Sequence, residues 1–226
     1  ILGHGFLTRE GQKMGKSLGN ILDPEILLTK YGNEAVRWYL LKDIALGNDG
    51  DFQNKRFVDI INNDLANTIG NLLNRSSSMS RKWFNDKTPL PEEKKDPRII
   101  DIANKTIDKY LFYFDKYKID LACNEILNFA MNINLYLNDN QPWSLIKDDQ
   151  NIEDVKFIIY NVLESCRIIG LLLQPILPNL SYKILLQLGQ VNVSNKSWKE
   201  KLKWGLLPLD SELPEPKPII NKLDYD

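Results

Sequence analysis

Two lysines and a serine lie close together in the stretch "GQKMGKSLGN", residues 11–20. Lys13 and Lys16 are three positions apart, Ser17 follows directly, and glycines stand on both sides. Ammonium groups on such a loop can contact a triphosphate and stabilise the charge that develops on a leaving pyrophosphate. A solvated surface turn rich in lysine and glycine has the same composition. The residues of the loop alone leave both interpretations open.

A Walker A phosphate loop is excluded, although the stretch contains its Gly-Lys-Ser ending at residues 15–17. That motif needs a glycine five positions before its second glycine, and Glu10 occupies the place. A Walker A loop also runs straight into a helix whose N-terminal N–H groups hold the phosphate. Here Gly19 and Asn20, which are poor residues for a helix interior, follow almost at once. Any phosphate binding by this loop is therefore of another type.

A second group of polar residues belongs to the helical part of the chain. Asn71 and Arg75 are four positions apart in "NNDLANTIGNLLNR", on one face of a predicted helix and beside its apolar stripe. Pro142 and Trp143 stand in "NQPWSL", where the helical pattern is interrupted. An amide and a guanidinium can bond the edges of unpaired bases, and an indole ring can stack on them. A solvated polar pair and a core tryptophan are the structural alternatives.

Composition limits the possible functions. The 226 residues carry 29 Lys plus Arg and 30 Asp plus Glu, a formal charge of −1, so any nucleic acid should be held by a few placed side chains. Cys123 and Cys166 lie within apolar helical patterns and are expected to be buried thiols. With a single histidine in addition, we expect no metal site in this chain. We expect neither a membrane span nor a signal peptide, which predicts a cytoplasmic protein with no membrane partner.

The pattern of apolar residues, prolines and glycines predicts a short α/β segment followed by helices. The first seven residues are typical of a strand, a helix capped by Asp23 should end at Gly32, and the next should end at Gly47. "GNDGDF" is predicted to be a turn-rich break, and the proline-rich tail after residue 203 should be extended. The remaining predicted helices cover residues 54–84, about 97–117, 120–138, roughly 152–173, and a last one ending near 188.

The stretch "HGFLTREGQKMGKSLGN", followed by "DPEILLTKYGNEAVRWYLL", resembles the second signature region of class I aminoacyl-tRNA synthetases, whose loop reads KMSKS. Gly15 stands where that motif has its middle serine, which removes one hydroxyl and should loosen the loop. The resemblance implies that Lys16, assisted by Lys13, is catalytic and stabilises the pyrophosphate side of the adenylation reaction. It also implies that the loop binds ATP through Lys13, Met14, Gly15, Lys16 and Ser17.

The helical part is similar to the methionyl-tRNA synthetase family in "NNDLANTIGNLLNR" and "NQPWSL", and "LGNDGDF" and the tail "WGLLP…PEPKPII" fit the same family. The resemblance implies that Asn71, Arg75, Pro142 and Trp143 face the CAU anticodon. It implies a methionine-tRNA ligase whose full-length form uses L-methionine, ATP with Mg²⁺, and tRNA(Met). A non-enzymatic helical RNA-binding module and a class I synthetase for another aliphatic amino acid are the alternatives.

The same resemblance implies a mainly α fold in three parts. Residues 1–51 would be the end of a Rossmann-type catalytic domain, with the KMSKS-like loop and the stem-contact helices. Residues 52–190 would form the helical anticodon-binding domain, and residues 191–226 a C-terminal extension that packs back on the catalytic domain. The family's HIGH signature, methionine pocket and zinc knuckle would lie upstream, so we expect this piece to be inactive alone. For His4, a packing role and an adenosine contact are both open.

Overall fold

The computed structural model describes residues 3–92, 96–190 and 197–225. The fold is mainly α, as predicted, with a small sheet followed by a helical bundle. The strands are β1 (Leu7–Arg9), β2 (Gln12–Lys13) and β3 (Gly50–Phe52). The helices are α1 (Pro24–Tyr31), α2 (Asn33–Asp43), α3 (Asn54–Ile60), a π-helix (Ile61–Gly70), α4 (Asn71–Trp83), α5 (Pro97–Asp115), α6 (Ile119–Asn140), α7 (Pro142–Leu145), α8 (Ile152–Leu173), α9 (Pro178–Gln187) and α10 (Trp198–Lys201).

The three strands form one sheet in the order β2-β1-β3. β1 and β2 are an antiparallel hairpin whose two turn residues, Glu10 and Gly11, both have positive φ (50° and 74°). Such turns match the twist of paired strands, and a glycine makes the conformation accessible. β3 pairs with β1 in parallel, with Leu7 opposite Gly50. The hairpin ends at Lys13, where the chain continues into the lysine loop, which we define as residues 13–20.

Three predictions for this segment differ from the structure. The strand expected over the first seven residues occupies 7–9 because its hydrogen-bonding partners lie opposite those positions; residues 1–2 lie outside the described part of the chain. The break predicted at "GNDGDF" contains β3, which is only three residues long and begins with a glycine. The helix expected to end at Gly47 ends at Asp43, because Ile44 is extended (φ −113°, ψ 112°) and turns the chain towards β3.

Polar contacts of helix α2 join the sheet segment to the bundle. The indole Nε1 of Trp38 donates to Oδ2 of Asp64 (3.0 Å), and Nε of Arg37 donates to the carbonyl of Ile176 (2.8 Å). Oε2 of Glu34 accepts from the backbone N–H of Leu180 (2.8 Å) in the first turn of α9, where a carboxylate is favoured. The sheet segment and the bundle therefore share one continuous core.

The single helix predicted over residues 54–84 is continuous, but its middle is a π-helix. The backbone N–H of Asn71 bonds the carbonyl of Ala66, five residues back, as π winding requires. Phe57, Ile61, Leu65 and Ile69 are all buried and are spaced by four residues. Three such intervals would drift by about 120° around an α-helix. The interpretation of this stripe as a 3.6-residue period was therefore wrong, and the wider turn keeps all four side chains in the core.

The bundle is built around α8, which is buried from Tyr160 to Leu173. α5 and α6 form an antiparallel pair beside it and begin and end within two residues of their predicted bounds. Cys123 and Cys166 are buried free thiols, as expected. Burial raises the pKa of each to about 12, so both remain protonated at neutral pH and have no role as nucleophiles.

The C-terminal strap, which we define as residues 204–225, is fixed to the bundle by a buried ion pair. The carboxylate of Glu164 accepts backbone N–H groups from residues 205–207 at 2.6–3.2 Å. Arg167 donates two bonds to the same carboxylate (2.6 and 2.7 Å) and two more to the carbonyls of Lys201 and Lys203. Each charge is thus satisfied inside the protein, as buried ions require.

Further along, the strap is held by side chains that pair with its backbone. The Thr88 hydroxyl donates to the carbonyl of Pro208 and accepts the N–H of Ser211. The amide of Gln187 makes two bonds with the backbone of Lys217. These contacts are all with the bundle, whereas the expected packing against the catalytic domain stays a prediction. The domain boundary predicted after residue 190 adjoins residues 191–196, which lie outside the described part of the chain.

Candidate functional site

The lysine loop is held in shape by Asn20. Its Oδ1 accepts the backbone N–H of Gly15 (2.9 Å), and its Nδ2 donates to the carbonyl of Lys13 (3.2 Å). Between Gly15 and Asn20, Lys16 and Ser17 lie in a single 3₁₀ turn. In the sequence, Asn20 is marked only as a poor residue for a helix interior. An asparagine directly after a glycine with φ 63° is the kind of residue that closes a loop on itself.

The side chains that could contact phosphate are open to solvent. Lys13, Lys16 and Ser17 are exposed, whereas Met14 is half-buried and its Sδ accepts the N–H of Leu22 (3.3 Å). The structure therefore brings two ammonium groups and a hydroxyl to one surface loop, a donor set that fits a polyphosphate.

Gly15 is not required by the conformation of the loop. Its φ of −154° and ψ of 141° describe extended backbone that any residue adopts. A Cβ at this position would meet its nearest neighbour, the side chain of Leu18, at 3.7 Å. A serine would therefore fit here in this structure without moving its neighbours.

Asp51 of β3 fixes the hairpin that leads into the loop. Its Oδ1 accepts the backbone N–H of Gly11 (2.8 Å) and the hydroxyl of Thr8 (2.7 Å). These bonds, first that of Gly11 and then that of Thr8, lower the pKa of Asp51 and keep it ionised. Asp51 is not recognisable from the sequence, because its partners lie about 40 positions earlier in the chain.

A cleft of about 790 Å³ lies between the hairpin and the end of α2. Lys13, Met14 and His4 line it together with apolar residues that include Leu40 and Ile44. The ring Nδ1 of His4 lies 2.8 Å from the carbonyl of Gly5. The cleft thus brings His4 and part of the lysine loop to one wall, whereas Lys16 and Ser17 are not part of its lining.

The second candidate site is assembled from three helices. Arg75 of α4 places its guanidinium carbon 5.4 Å from the ring centroid of Trp143 on α7, a cation–π arrangement. Nη2 of Arg75 also donates to Oδ1 of Asn138 on α6 (3.1 Å). Trp143 is 37% exposed, and Asn71 lies exposed one turn before Arg75. Trp143 is thus not a core tryptophan, whereas the positions of Asn71 and Arg75 agree both with a solvated polar pair and with a binding role.

Pro142 has a different position from its predicted partners, because it is buried. It is the first residue of α7, where a proline is favoured, and it follows Gln141, whose φ is 44°. The proline thus fixes the start of the short helix that presents Trp143. Asn138, which bonds Arg75, was missed by the sequence analysis because nothing in its surroundings distinguishes it from other exposed asparagines.

The part of the chain that the structure describes contains neither a metal-binding cluster nor a membrane-spanning helix. Within residues 3–92, 96–190 and 197–225, no cluster of three or more His, Cys, Asp or Glu side chains could hold a metal ion. Among the same residues, no helix has the length and hydrophobicity needed to cross a membrane.

Comparison with protein families accounts for almost the whole chain. The model of tRNA synthetases class I (M) matches residues 1–77, and the model of the anticodon binding domain of methionyl tRNA ligase matches residues 90–224. The chain belongs to the methionyl-tRNA ligase family. The class I model covers the lysine loop as well as Asn71 and Arg75, and the anticodon-binding model covers Pro142 and Trp143.

Individual methionine–tRNA ligases are similar to this chain. The ligase of Nostoc sp. is 38% identical over 236 residues, which cover 99% of this chain and 44% of the relative. The ligase of Thermotoga maritima is 38% identical over 99% of this chain and 36% of the relative. The structure of Mycobacterium tuberculosis methionyl-tRNA synthetase in complex with methionyl-adenylate superimposes with a TM-score of 0.89 at 34% identity, covering 96% of this chain and 43% of that one. This chain therefore spans less than half the length of the family members it matches.

Proposed function

We propose that this chain is part of a methionine-tRNA ligase, in which it supplies the ATP-phosphate loop and the anticodon-reading bundle. The full protein would join methionine to ATP as methionyl-adenylate, release pyrophosphate, and transfer the methionyl group to tRNA(Met). The observation that carries this proposal is the match of both family models, in chain order, around two sites that the geometry separates. L-methionine, ATP and tRNA(Met) are the proposed partners, and the cytoplasm is the proposed location.

In the first site, Lys13 and Lys16 would act on the phosphates of ATP. Both ammonium groups are exposed, so they can reach a ligand, and Asn20 holds the backbone from which they project. Lys16 would stabilise the negative charge that grows on the leaving pyrophosphate, and Ser17 would donate a hydrogen bond. Met14 and Gly15 would form the backbone of the site. The loop holds no carboxylate, so we propose that Mg²⁺ enters with ATP, bound by its phosphate oxygens.

In the second site, Asn71 and Arg75 would bond the edges of anticodon bases, and Trp143 would stack on one of them. Among the described residues, Asn138 is the one hydrogen-bond acceptor for the Arg75 side chain, so the rest of the guanidinium is free for RNA. The contact with Trp143 orients that guanidinium beside the stacking plane. Pro142 would act by fixing the start of α7. Stacking is worth roughly 1–3 kcal/mol per base, so a surface with one arginine can select a tRNA.

The proposal is tested by two assays on the full-length protein. We expect exchange of pyrophosphate into ATP that depends on methionine, and methionylation of a tRNA with anticodon CAU in preference to one with a changed anticodon. We expect the isolated 226-residue chain to catalyse no exchange, because it spans less than half of its relatives. Exchange that depends on another aliphatic amino acid would identify a different synthetase. RNA binding by a full-length protein that catalyses no exchange would identify a non-enzymatic module.

A further inference from the structure

The π-helix determines the direction in which Asn71 and Arg75 point. The buried apolar residues from Phe57 in α3 to Ile69 in the π-helix are spaced by four, and the wide turns keep them facing the core. If the same segment were α-helical, the two intervals from Ile61 to Ile69 would drift by about 80° around the axis, and α4 would be rotated by a comparable angle relative to the core. Asn71 and Arg75 begin α4 directly after the π-helix, so they would turn away from Trp143. The surface formed by Asn71, Arg75 and Trp143, which we call the anticodon surface, therefore depends on the winding of the π-helix.

A π-helix of this length needs support, because π turns are rare and occur mostly as single turns. Part of the support is the absence of a side chain at Gly70. Its φ is −64°, so the backbone does not require glycine. A Cβ there would lie 3.0 Å from the carbonyl oxygen of Leu65 and 3.4 Å from Cγ1 of Ile219. A side chain at residue 70 would thus be crowded by the π turn on one side and by the C-terminal strap on the other.

The strap also bonds the other end of the π-helix. Oδ1 of Asn62 accepts the backbone N–H of Leu223, and its Nδ2 donates to the carbonyl of the same residue, both at 2.8 Å. The hydroxyl of Tyr225 donates to Oδ1 of Asp59 (2.6 Å), in the last turn of α3. Ile219 is 2% exposed and lies against Gly70. The strap therefore contacts the chain at three places: in α3 just before the π-helix, near the start of the π-helix, and at its last residue.

We propose that residues 219–225 of the strap hold the π-helix in its wide winding, and that Asn62, Gly70 and Ile219 are positioning residues for anticodon recognition. None of the three belongs to the surface formed by Arg75 and Trp143. They act by setting how α4, the helix that carries Arg75, is rotated about its axis. This inference rests on the proposed function of that surface.

The test compares three variants of the full-length ligase with one another and with Trp143→Ala. Gly70→Ala crowds the π turn and adds a residue that favours the α-helix, so it should fold but wind differently. Asn62→Ala removes both bonds to Leu223. Thr88→Val is the matched control, because it removes two bonds at the other end of the strap, to Pro208 and Ser211.

We expect Gly70→Ala and Asn62→Ala to lower the preference for anticodon CAU over a changed anticodon by at least about fivefold in kcat/KM. The loss of one base contact is worth roughly a factor of 5 to 150. Pyrophosphate exchange without tRNA should stay at the wild-type rate, and Thr88→Val should retain the preference even where its melting temperature falls. A crystal structure of Gly70→Ala should show the N–H of Asn71 bonded to the carbonyl of Asn67 in place of Ala66.

The outcomes separate the two proposals. If Trp143→Ala loses the anticodon preference while Gly70→Ala and Asn62→Ala keep it, the positioning role is wrong and the proposed function stands. If Thr88→Val loses as much preference as Asn62→Ala, the effect is one of general stability and the positioning role is again wrong. If Trp143→Ala itself keeps the preference, the anticodon surface is wrongly assigned and both proposals fall.

Discussion

The lysine loop and the anticodon surface differ in how their residues are brought together. The loop takes all of its candidate residues from positions 13–17, and a single asparagine closes it. The anticodon surface takes its residues from α4, α6 and α7, and the partner that bonds Arg75 is 63 positions away. A cation that acts on phosphate needs reach more than fixed orientation, whereas a group that reads the edge of a base needs a fixed direction. The proposed roles therefore fit the positions of the two candidate sites, one on a loop and the other on packed helices.

The largest expected effect concerns Lys16. In the full-length ligase, Lys16→Ala should slow methionyl-adenylate formation by roughly 10²–10³-fold, since it removes a charge that acts mainly in the transition state. Binding of methionine should hardly change. Pyrophosphate exchange measures the effect, with Lys55→Ala, an exposed lysine of α3, as the control. A wild-type exchange rate in Lys16→Ala would mean that Lys16 does not act in adenylate formation, and the contrast drawn between the two sites would then be wrong.

The next effect belongs to the other site. Trp143→Ala and Arg75→Ala should each weaken recognition of anticodon CAU by roughly 5- to 150-fold, which corresponds to about 1–3 kcal/mol, and leave tRNA-independent exchange unchanged. Tyr182→Ala on α9 removes an aromatic ring that is also exposed and serves as the control. Aminoacylation of two tRNAs by folded variants decides the matter. Unaltered discrimination would mean that these residues are structural.

A smaller effect is expected at Asn20, which tests whether the shape of the loop matters. Asn20→Ala removes the bonds to Gly15 and Lys13, so the backbone that carries the lysines is no longer held in place, while their charges remain. We expect exchange to slow by about tenfold, because misplacement of a catalytic group is damaging even when the group is present. Equal rates for Asn20→Ala and wild type would show that reach alone is sufficient, which would sharpen the contrast with the helical site.

A similar change on the helical side should be smaller again. Asn138→Ala leaves Arg75 in place against Trp143 but removes the hydrogen bond that orients it. One such bond is worth about 0.5–1.5 kcal/mol, so the preference for CAU should fall by about 2- to 10-fold. Kinetics with tRNAs changed at one anticodon base measure this, and a loss as large as that of Arg75→Ala would make Asn138 a direct reader of RNA.

The smallest effect is expected for Gly15→Ser, which restores the family's usual residue. The backbone is already extended and the nearest neighbour of a Cβ is 3.7 Å away, so the change should cause no strain. We expect the exchange rate to stay within about threefold of wild type, because a hydrogen bond of the added hydroxyl would replace one to water and contribute near the lower end of about 0.5–1.5 kcal/mol. A large fall in the rate would mean that the loop adopts another conformation when it binds ATP, one that needs glycine.

The sequence predicts the helices well where local signals mark their ends. Asp23 and Pro24 place the start of α1, and Oδ1 of Asp23 indeed accepts the N–H of Glu25 at 2.8 Å. The apolar pattern of α8 gives its bounds to the residue. β3 was missed because a three-residue strand has no period of its own and is defined by its partner, β1. The π-helix was missed for another reason: its spacing of four was visible in the sequence but was taken for the usual 3.6.

For the candidate sites, the difference between local and distant partners decides what could be predicted. Lys13, Lys16 and Ser17 are visible as a group because they are neighbours in sequence. Trp143 and Arg75 were brought together only by a resemblance to a family, and the structure places them in contact. Asn138 and Asp51 could not be found from the sequence, since their importance comes from side chains that the fold brings from elsewhere.

The buried carboxylate of Glu164 has a consequence for the order of events during synthesis. Glu164 is in the middle of α8, and the N–H groups that it needs, from Gly205 to Leu207, are made about forty residues later. Until they emerge, the nascent bundle contains a charge that is only half satisfied, by Arg167. Unlike a domain that closes as soon as its last helix is made, this one can complete its core only after a further stretch has left the ribosome. We therefore expect nascent chains released before residue 205 to be captured by chaperones, whereas slightly longer ones fold.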